Sequence, residues 1–321
     1  MIVIISKPDD GHIPFVTKHL RTPPILIDAG TVLGGESLTY HLNGRGVSAV
    51  TFRGKQLSDV TGVWLRRPRL AKSLHDIPVE DRFKAYCQSA LHWHIQQLYT
   101  QFPDAFWLPN YFSMVRAENK MLQLSTAASV GFRTPETLLT SSGNDARLFV
   151  KRKSAVITKP ISRHGLEVVP AGSTSMLVLY AHRLSDRDAV NDDALRVAPT
   201  IFQEMIEPLF DIRVTVVGAS VFAAKIISPD LPTTRDWRTN NKTDKLHIEA
   251  YELQPNIAKM CVALTKRLGL HYGAIDLVQG NDGDPYFLEI NPNGQWAFVE
   301  QETRQPIGKA IARFLEQGAP Q

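Results

Sequence analysis

Asp284-Pro285-Tyr286-Phe287-Leu288-Glu289-Ile290-Asn291-Pro292-Asn293-Gly294-Gln295-Trp296 is the stretch that decides how this chain is read. Residues 286–290 have the length and apolar content of a short strand, interrupted only by Glu289. In extended backbone, positions two apart project from the same face, so the Glu289 carboxylate and the Asn291 amide oxygen converge on one point. Pro292 and Asn293-Gly294 stop the strand immediately afterwards. Hard oxygen donors placed side by side suit Mg²⁺ in the company of phosphate oxygens. A strand end feeding a polar turn is the plain alternative, and it would prevail for an isolated Glu-x-Asn. Here other segments supply what a magnesium–nucleotide site needs.

Just upstream, residues 273–278 read as a strand whose one charge, Asp276, lies among apolar neighbours. A buried carboxylate is costly without a cation, so Asp276 is expected to have one. Asn281-Asp282-Gly283-Asp284 is a hairpin turn, which sets Asp276 across from Glu289 and Asn291. Residues 211–218 form another strand, with Asp211, Arg213 and Thr215 on one face and apolar residues on the other, the alternation of a half-buried antiparallel strand. Arg213 is then either salt-bridged to a neighbour or reaching a phosphate. Residues 220–228 return as a hairpin partner, and residues 229–245 form a long loop of the functional or mobile kind.

Residues 200–207, Thr-Ile-Phe-Gln-Glu-Met-Ile-Glu, read as a strand ending in a polar pair. Residues 155–161 place Lys159 inside an apolar strand, where it either snorkels at an edge beside Pro160 or binds phosphate. The turn Ser162-Arg163-His164-Gly165 leads to a second strand over residues 166–169, and this loop is a candidate phosphate lid. Glu118-Asn119-Lys120 opens an amphipathic helix that runs to Ala128 and is stopped at Gly131. A cation at a helix N-terminus opposes the macrodipole, which favours an external anion for Lys120. Helices are also expected over residues 255–268 and 306–315.

The first 110 residues alternate short apolar runs (2–5, 25–27, 47–52, 63–65) with turns, which describes a small α/β domain. No G-x-G-x-x-G or G-K-S/T pattern occurs there. Residues 79–102 have helical spacing, with Phe83, Tyr86/Cys87, Ala90/Leu91 and Leu98 on one side. His92 and His94 do not share a helix face, so they are packing or surface residues rather than a metal pair. The arginines of Trp64-Leu65-Arg66-Arg67-Pro68 either grip an anion or are ordinary edge charges.

With 321 residues, 43% of them hydrophobic and 21% charged, the chain has the composition of a globular protein. No run reaches the ~18–20 apolar residues of a membrane span, so no membrane partner is expected. The N-terminus lacks a basic region and a cleavage site, and reads as a strand. Cys87 and Cys261 form no C-x-x-C, so neither a disulfide framework nor a zinc site is indicated, and a cytoplasmic location is the expectation. A net charge of +4 suits nucleotide phosphates and acidic peptides, and nucleic acid is not expected as a partner.

Taken in order, Lys120, Lys159-Pro160, Gln203-Glu204-Met205-Ile206, Asp211-Ile212-Arg213, Asp276 and Glu289-Ile290-Asn291-Pro292 resemble the ATP-grasp carboxylate–amine ligases. Trp64-Leu65-Arg66-Arg67-Pro68, Ala117-Glu118-Asn119-Lys120, Asp236-Trp237-Arg238 and Phe287 to Trp296 resemble one RimK-like branch, the microviridin-maturation (graspetide) peptide ligases. The resemblance spans nearly the whole chain. It implies an α/β (α+β) protein with the ATP-grasp fold and an N-terminal pre-ATP-grasp α/β domain. The expected division is 1–112 for that domain, 113–202 for the central subdomain and 203–321 for the C-terminal subdomain with the Mg-ATP site.

The same resemblance implies ATP and Mg²⁺ as cofactors and a ribosomal precursor peptide, leader and core, as partner, with a homodimer as the expected assembly. Asp276, Glu289 and Asn291 would hold the metal, and Lys120 and Lys159 the ATP phosphates. Gln203, Glu204, Met205 and Ile206 would line adenine, with Glu207 as a ribose contact. Arg213 would stabilise acyl-phosphate oxygens, and Arg238 is a second candidate for that pocket. The activity implied is phosphorylation of a Glu or Asp side chain, followed by closure of an ester or amide ring within the peptide. Two other readings stand beside it: a RimK-like ligase adding a free amino acid to a peptide or small carboxylate, and a non-catalytic nucleotide-binding peptide-recognition module. The charged segment 183–196 is a further candidate for leader docking.

Overall fold

A continuous apolar run at the N-terminus builds the central strand of a parallel sheet that is covered on both faces. In the computed structural model, β1 (Ile2–Ile5) lies between β2 (Ile25–Ile27) and β6 (Gly62–Leu65), and β7 (Phe106–Leu108) extends the sheet beyond β6. The structure describes the chain apart from residues 29–31, 33–34, 47, 67–78, 162–180, 186–189, 228–245 and 318–321. Val3, Ile5, Val63 and Leu65 pack with Ile95 and Leu98 of the helix Asp81–Leu98. Ile2, Ile4 and Trp64 face the other way, onto the helix Ile307–Gln317. Burial on both sides is the usual condition of parallel strands. A three-stranded antiparallel sheet, β3 (Leu38–Leu42), β4 (Ser48–Phe52) and β5 (Lys55–Gln56), packs alongside through Val50 and Phe52.

Strand β8 (Thr137–Thr140), β9 (Val156–Pro160), β10 (His182–Arg183) and β11 (Thr200–Glu204) form a second, antiparallel sheet in the order β10-β9-β11-β8. Val156 and Phe202 point to one face, where Ala146 and Phe149 of the helix Gly143–Lys151 and Leu195 of the helix Asp192–Val197 cover them. Strand periodicity then sends Ile157, Lys159, Ile201 and Gln203 to the opposite face. The second strand expected over residues 166–169 lies outside the described residues, as do the 162–165 turn and the 229–245 loop.

The third sheet is five-stranded and antiparallel: β12 (Phe210–Val217), β13 (Ser220–Ile227), β14 (His247–Ala250), β15 (Tyr272–Gln279) and β16 (Tyr286–Asn291), in the order β14-β13-β12-β15-β16. Ile212, Val214, Val216, Ile275, Leu277, Phe287 and Ile290 form one apolar face against the helices Lys120–Ser129 and Pro255–Arg267. The other face carries Arg213, Thr215, Asp276 and Glu289, and at one end Val217, Tyr272 and Ala274 pack with Trp296 and Phe314.

Two expectations are corrected here. Strand β12 is not half-buried: Arg213 and Thr215 are as enclosed as Ile212, because β13 and β15 flank it and both faces are covered. On the helix Asp81–Leu98, burial falls on Ile95 and Leu98, while Phe83 is 46% and Tyr86 74% exposed. The first sheet is only four strands wide and meets just the C-terminal turns of this long helix.

The helix Ile307–Gln317 joins the first and third sheets. Its apolar positions Ile307, Ile311, Phe314 and Leu315 recur at helical spacing and share one core with Ile2, Ile4, Trp64, Val217 and Tyr272. Gly62 and Gly308 permit the close approach, since a Cβ on either would meet Leu315 O at 2.4 Å or Phe15 O at 2.3 Å. No described helix is long and apolar enough to cross a membrane.

Candidate active site

The β15–β16 hairpin places the charged residues in register. Asp276 pairs with Glu289 and Ala274 with Asn291, while Leu277 pairs with Phe287, so Leu288 is the extra residue of a bulge. A bulge re-aims the side chains that follow it. Here it lets Phe287 and Ile290 both reach the core while Glu289 and Asn291 turn to the opposite face.

Arg213 is the register partner of Asp276 on β12, and its Nη1 donates to Asp276 Oδ1 at 2.6 Å. Arg213 is 4% and Asp276 6% exposed. The cation expected for Asp276 is this guanidinium. Arg213 Nη2 donates to Gln295 O at 2.7 Å, which ties the pair to the turn after β16. Lys120 begins the helix Lys120–Ser129, with Asn119 as its N-cap, and its Nζ lies 2.5 Å from Glu289 Oε2. The anion that this lysine meets in the folded chain is a carboxylate of the chain itself, not the external one that the helix N-terminus led us to expect.

Lys159 and Gln203 meet on the face of the second sheet opposite Val156 and Phe202, where Lys159 Nζ donates to Gln203 Oε1 at 2.7 Å and Gln203 Nε2 to Thr137 Oγ1 at 2.9 Å. Glu204 turns to the other side and accepts from Lys153 Nζ at 3.2 Å. The backbone of Met205 donates to Ala155 O at 3.0 Å, so the strand pairing continues one residue past Glu204. Ile206 is half-buried and Glu207 exposed beyond the strand end. Arg238, with Asp236-Trp237, lies outside the described residues, as do Arg67 and Pro68.

Asp276, Glu289 and Asn291 on adjoining strands form a donor set of two carboxylates and one amide oxygen. Mg²⁺ takes such sites when phosphate oxygens complete its shell. Among the described residues no group of three or more His, Cys, Asp or Glu side chains is placed to cage a metal. The residues present therefore fit a Mg²⁺–nucleotide better than a bare ion.

Three further groups support the site, and of these only Arg66 stood out in the sequence. Gln123, 1% exposed, donates from Nε2 to Ile290 O at 2.9 Å and accepts from Ile290 N–H at 3.1 Å. Strand β16 is a sheet edge, and this amide satisfies its outward backbone between Glu289 and Asn291. Gln123→Ala should cost about 1–3 kcal/mol by leaving those groups unpaired, read as a lowered denaturant midpoint at unchanged slope. An unchanged midpoint would remove Gln123 from this role. Tyr272 donates its hydroxyl to Gly294 O at 2.7 Å, and burial pushes its pKa up to about 12 against the lowering influence of Arg66 and Arg213. It is a permanent donor at neutral pH. Gly294 itself is required by space, since a Cβ there would meet Ala274 Cβ at 2.5 Å and Arg213 Nη2 at 2.9 Å.

The third group is Arg66, which is not an edge charge, since β6 lies inside its sheet and the guanidinium meets an anion of the chain, Asp10. It is 2% exposed, with Nη1 donating to Asn293 O at 2.8 Å and Nε lying 3.4 Å from Asp10 Oδ2. Burial alone would raise the pKa of Asp10, but the His12 hydrogen bond and the Arg66 charge outweigh it and hold that carboxyl well below the usual range. This buried cluster joins the first sheet to the turn that follows the site strand.

The second sheet pairs a lysine with a glutamine and the third sets two carboxylates side by side, each on the face turned away from its helix-packed core. Residues 117–315 match the RimK-like ATP-grasp domain. The chain belongs to that family, and is by class an ATP-dependent ligase. Among curated proteins it is similar to the tetrahydromethanopterin:alpha-L-glutamate ligase of Methanocaldococcus jannaschii, 26% identical over 206 residues, or 63% of this chain and 67% of that protein. A probable alpha-L-glutamate ligase of Shewanella sp. strain MR-4 is 27% identical over 64% of this chain and 65% of its own length. The match therefore spans about two thirds of these relatives.

Solved structures match end to end. The macrocyclase MdnC of Microcystis aeruginosa MRC, bound with precursor peptide MdnA, superposes with a TM-score of 0.85 at 26% identity, over 99% of this chain and 100% of that one. The Chryseobacterium gregarium RiPP-associated ATP-grasp ligase, in complex with ADP and a leader and core peptide, gives 0.87 at 25% identity over 100% and 97%.

Proposed function

We propose that this ligase phosphorylates Glu or Asp side chains of a ribosomal precursor peptide and closes ester or amide macrocycles within it. The observation that carries this reading is the closeness of the full-length superposition on the two peptide-bound ligases, with TM-scores of 0.85 and 0.87 at 26% and 25% identity. The division at 1–112, 113–202 and 203–321 belongs to the same reading, as do a cytoplasmic location and a homodimer.

In this account a peptide carboxylate oxygen attacks the γ-phosphorus of ATP, ADP departs, and an acyl phosphate forms on the peptide. A Ser/Thr hydroxyl or Lys amine of the same peptide attacks the acyl carbon, the bond to phosphate breaks, and the nucleophile's proton passes to solvent. Asp276, Glu289 and Asn291 would hold Mg²⁺, which supplies charge neutralisation between the phosphates. Lys120, which pairs with Glu289 in the folded chain, would bind phosphate once nucleotide arrives, as would Lys159. Gln203 to Ile206 would border adenine, through backbone groups where Glu204 is tied to Lys153, and Glu207 the ribose. Arg213 is held beside the metal ligands, where charge develops on the acyl phosphate, and Arg238 is a further candidate for that pocket.

Incubation with ATP, Mg²⁺ and the precursor encoded beside the gene should remove one water mass per ring. No mass loss with a verified cognate precursor would refute the reading. The similarity to glutamate ligases keeps a second one: mass gain on an acceptor supplied with free glutamate would favour it.

Leader docking is assigned to the segment 183–196. Asp192 is engaged by Arg147 at 2.8 Å and Asp193 by Arg196. Reversal of Asp193 is the cleaner probe, because Asp192 also fastens its helix to the helix Gly143–Lys151.

A further inference from the structure

A continuous set of hydrogen bonds runs from the first sheet to the amide of Asn291. Arg66 follows β6, and its Nη1 donates to both the backbone oxygen and Oδ1 of Asn293, at 2.8 and 2.9 Å. Asn293 returns two bonds, from Nδ2 to Arg66 O at 2.7 Å and to Leu65 O at 3.2 Å. The backbone N–H of Asn293 then donates to Asn291 Oδ1 at 3.2 Å. An N–H can bond only the oxygen end of an amide, so this contact decides which end of Asn291 is which. The oxygen keeps a second lone pair for a cation.

The turn is held at its far end as well. Trp296 N–H donates to His12 Nε2 at 3.2 Å, and His12 Nδ1 lies 2.7 Å from Asp10 Oδ1. With Nε2 accepting, Nδ1 carries the proton and donates to Asp10. Arg66 Nη2 packs against the same imidazole, 3.1 Å from Nε2. Between these anchors, Tyr272 takes the oxygen of Gly294 and Arg213 that of Gln295. Each residue from 293 to 296 is therefore fixed by a buried group from elsewhere in the chain. These bonds satisfy the buried backbone of the turn, and the same bracing fixes the orientation of the amide that precedes it.

We propose that Arg66, braced by His12 and Asp10, is a positioning residue for Asn291. Acting through Asn293, it presents Asn291 Oδ1 to the divalent metal of the nucleotide complex. The inference rests on the reading of Asn291 as a metal ligand. It gives the N-terminal domain a part in metal binding, beyond any part in holding peptide.

The test uses Mn²⁺ as a paramagnetic probe, titrated into the full chain with ADP and followed by electron paramagnetic resonance. Arg66→Lys leaves the charge but cannot span Asn293 and His12 together. Asn293→Ala keeps the Arg66–Asp10 pair, and so serves as the folded probe should Arg66→Lys misfold. Each is expected to weaken Mn²⁺ about tenfold, the lower range for outer-shell changes, while ADP affinity without metal is unchanged. In an Asn291→Ala background, Arg66→Lys should add no further loss, because the path ends at that amide. Wild-type Mn²⁺ affinity in Arg66→Lys and Asn293→Ala, or losses that add fully to that of Asn291→Ala, would overturn the inference alone. Wild-type Mn²⁺ affinity in Asn291→Ala would overturn both the metal reading and this one.

Discussion

Glu289→Gln is expected to reduce ATP turnover by about 100-fold or more while leaving the fold intact, since even outer-shell changes at metal sites cost 10–100-fold. The substitution keeps the volume and one oxygen of the side chain and removes its charge. Glu289 stands opposite Asp276 in the hairpin register, so two carboxylates become one. Lys120, 2.5 Å from Glu289 in the folded chain, can still donate to the amide oxygen, which limits the structural cost. A circular-dichroism melt should move only slightly, within about 1–2 kcal/mol of wild type. Normal turnover in Glu289→Gln would overturn the metal assignment. A collapse of the fold would instead show the Lys120–Glu289 pair to be structural.

The second large effect concerns stability. Arg213→Met should destabilise the chain by about 3–5 kcal/mol, because it strands the Asp276 carboxylate in a closed interior. The two side chains are 4% and 6% exposed and share a 2.6 Å bond, so water replaces the lost partner poorly. The double variant Arg213→Met/Asp276→Leu should regain most of that loss, since apolar replacements of buried pairs are often neutral or stabilising. It should regain no turnover. That combination would mark a pair retained for chemistry. Turnover in the double variant would contradict it, and a double variant as unstable as the single would show the pair to be structural.

What the sequence made legible follows from the length scale of each feature. Glu289, Asn291 and Asp276 were readable together because strand period and one hairpin turn relate them, all within 16 residues. Lys120 was readable as a cation in the wrong place for its helix, and Lys159 and Arg213 as charges inside apolar strands. The bulge at Leu288 was not, since it is set by pairing with β15 and not by any turn residue. Burial of β12 on both faces was equally hidden, because polar Arg213 and Thr215 mimic a solvent face whenever a salt bridge replaces water. Gln123 looks like any polar residue on an amphipathic helix. The Arg66–Asn293 contact joins residues 227 apart, and only the folded chain brings them together. On the helix Asp81–Leu98 the apolar spacing was real, but most of that stripe faces outward, leaving Phe83 46% and Tyr86 74% exposed.

The central claim is that this site transfers phosphate to a peptide carboxylate and then displaces it from within the same peptide. Isotopically heavy oxygen in the Glu and Asp side chains of the precursor tests it most directly. With ATP and Mg²⁺, one heavy oxygen per ring should appear in inorganic phosphate, and the peptide should lose one heavy water per ring. Ring closure with unlabelled phosphate, or labelled phosphate with an uncyclised peptide carrying an added amino acid, would contradict the account.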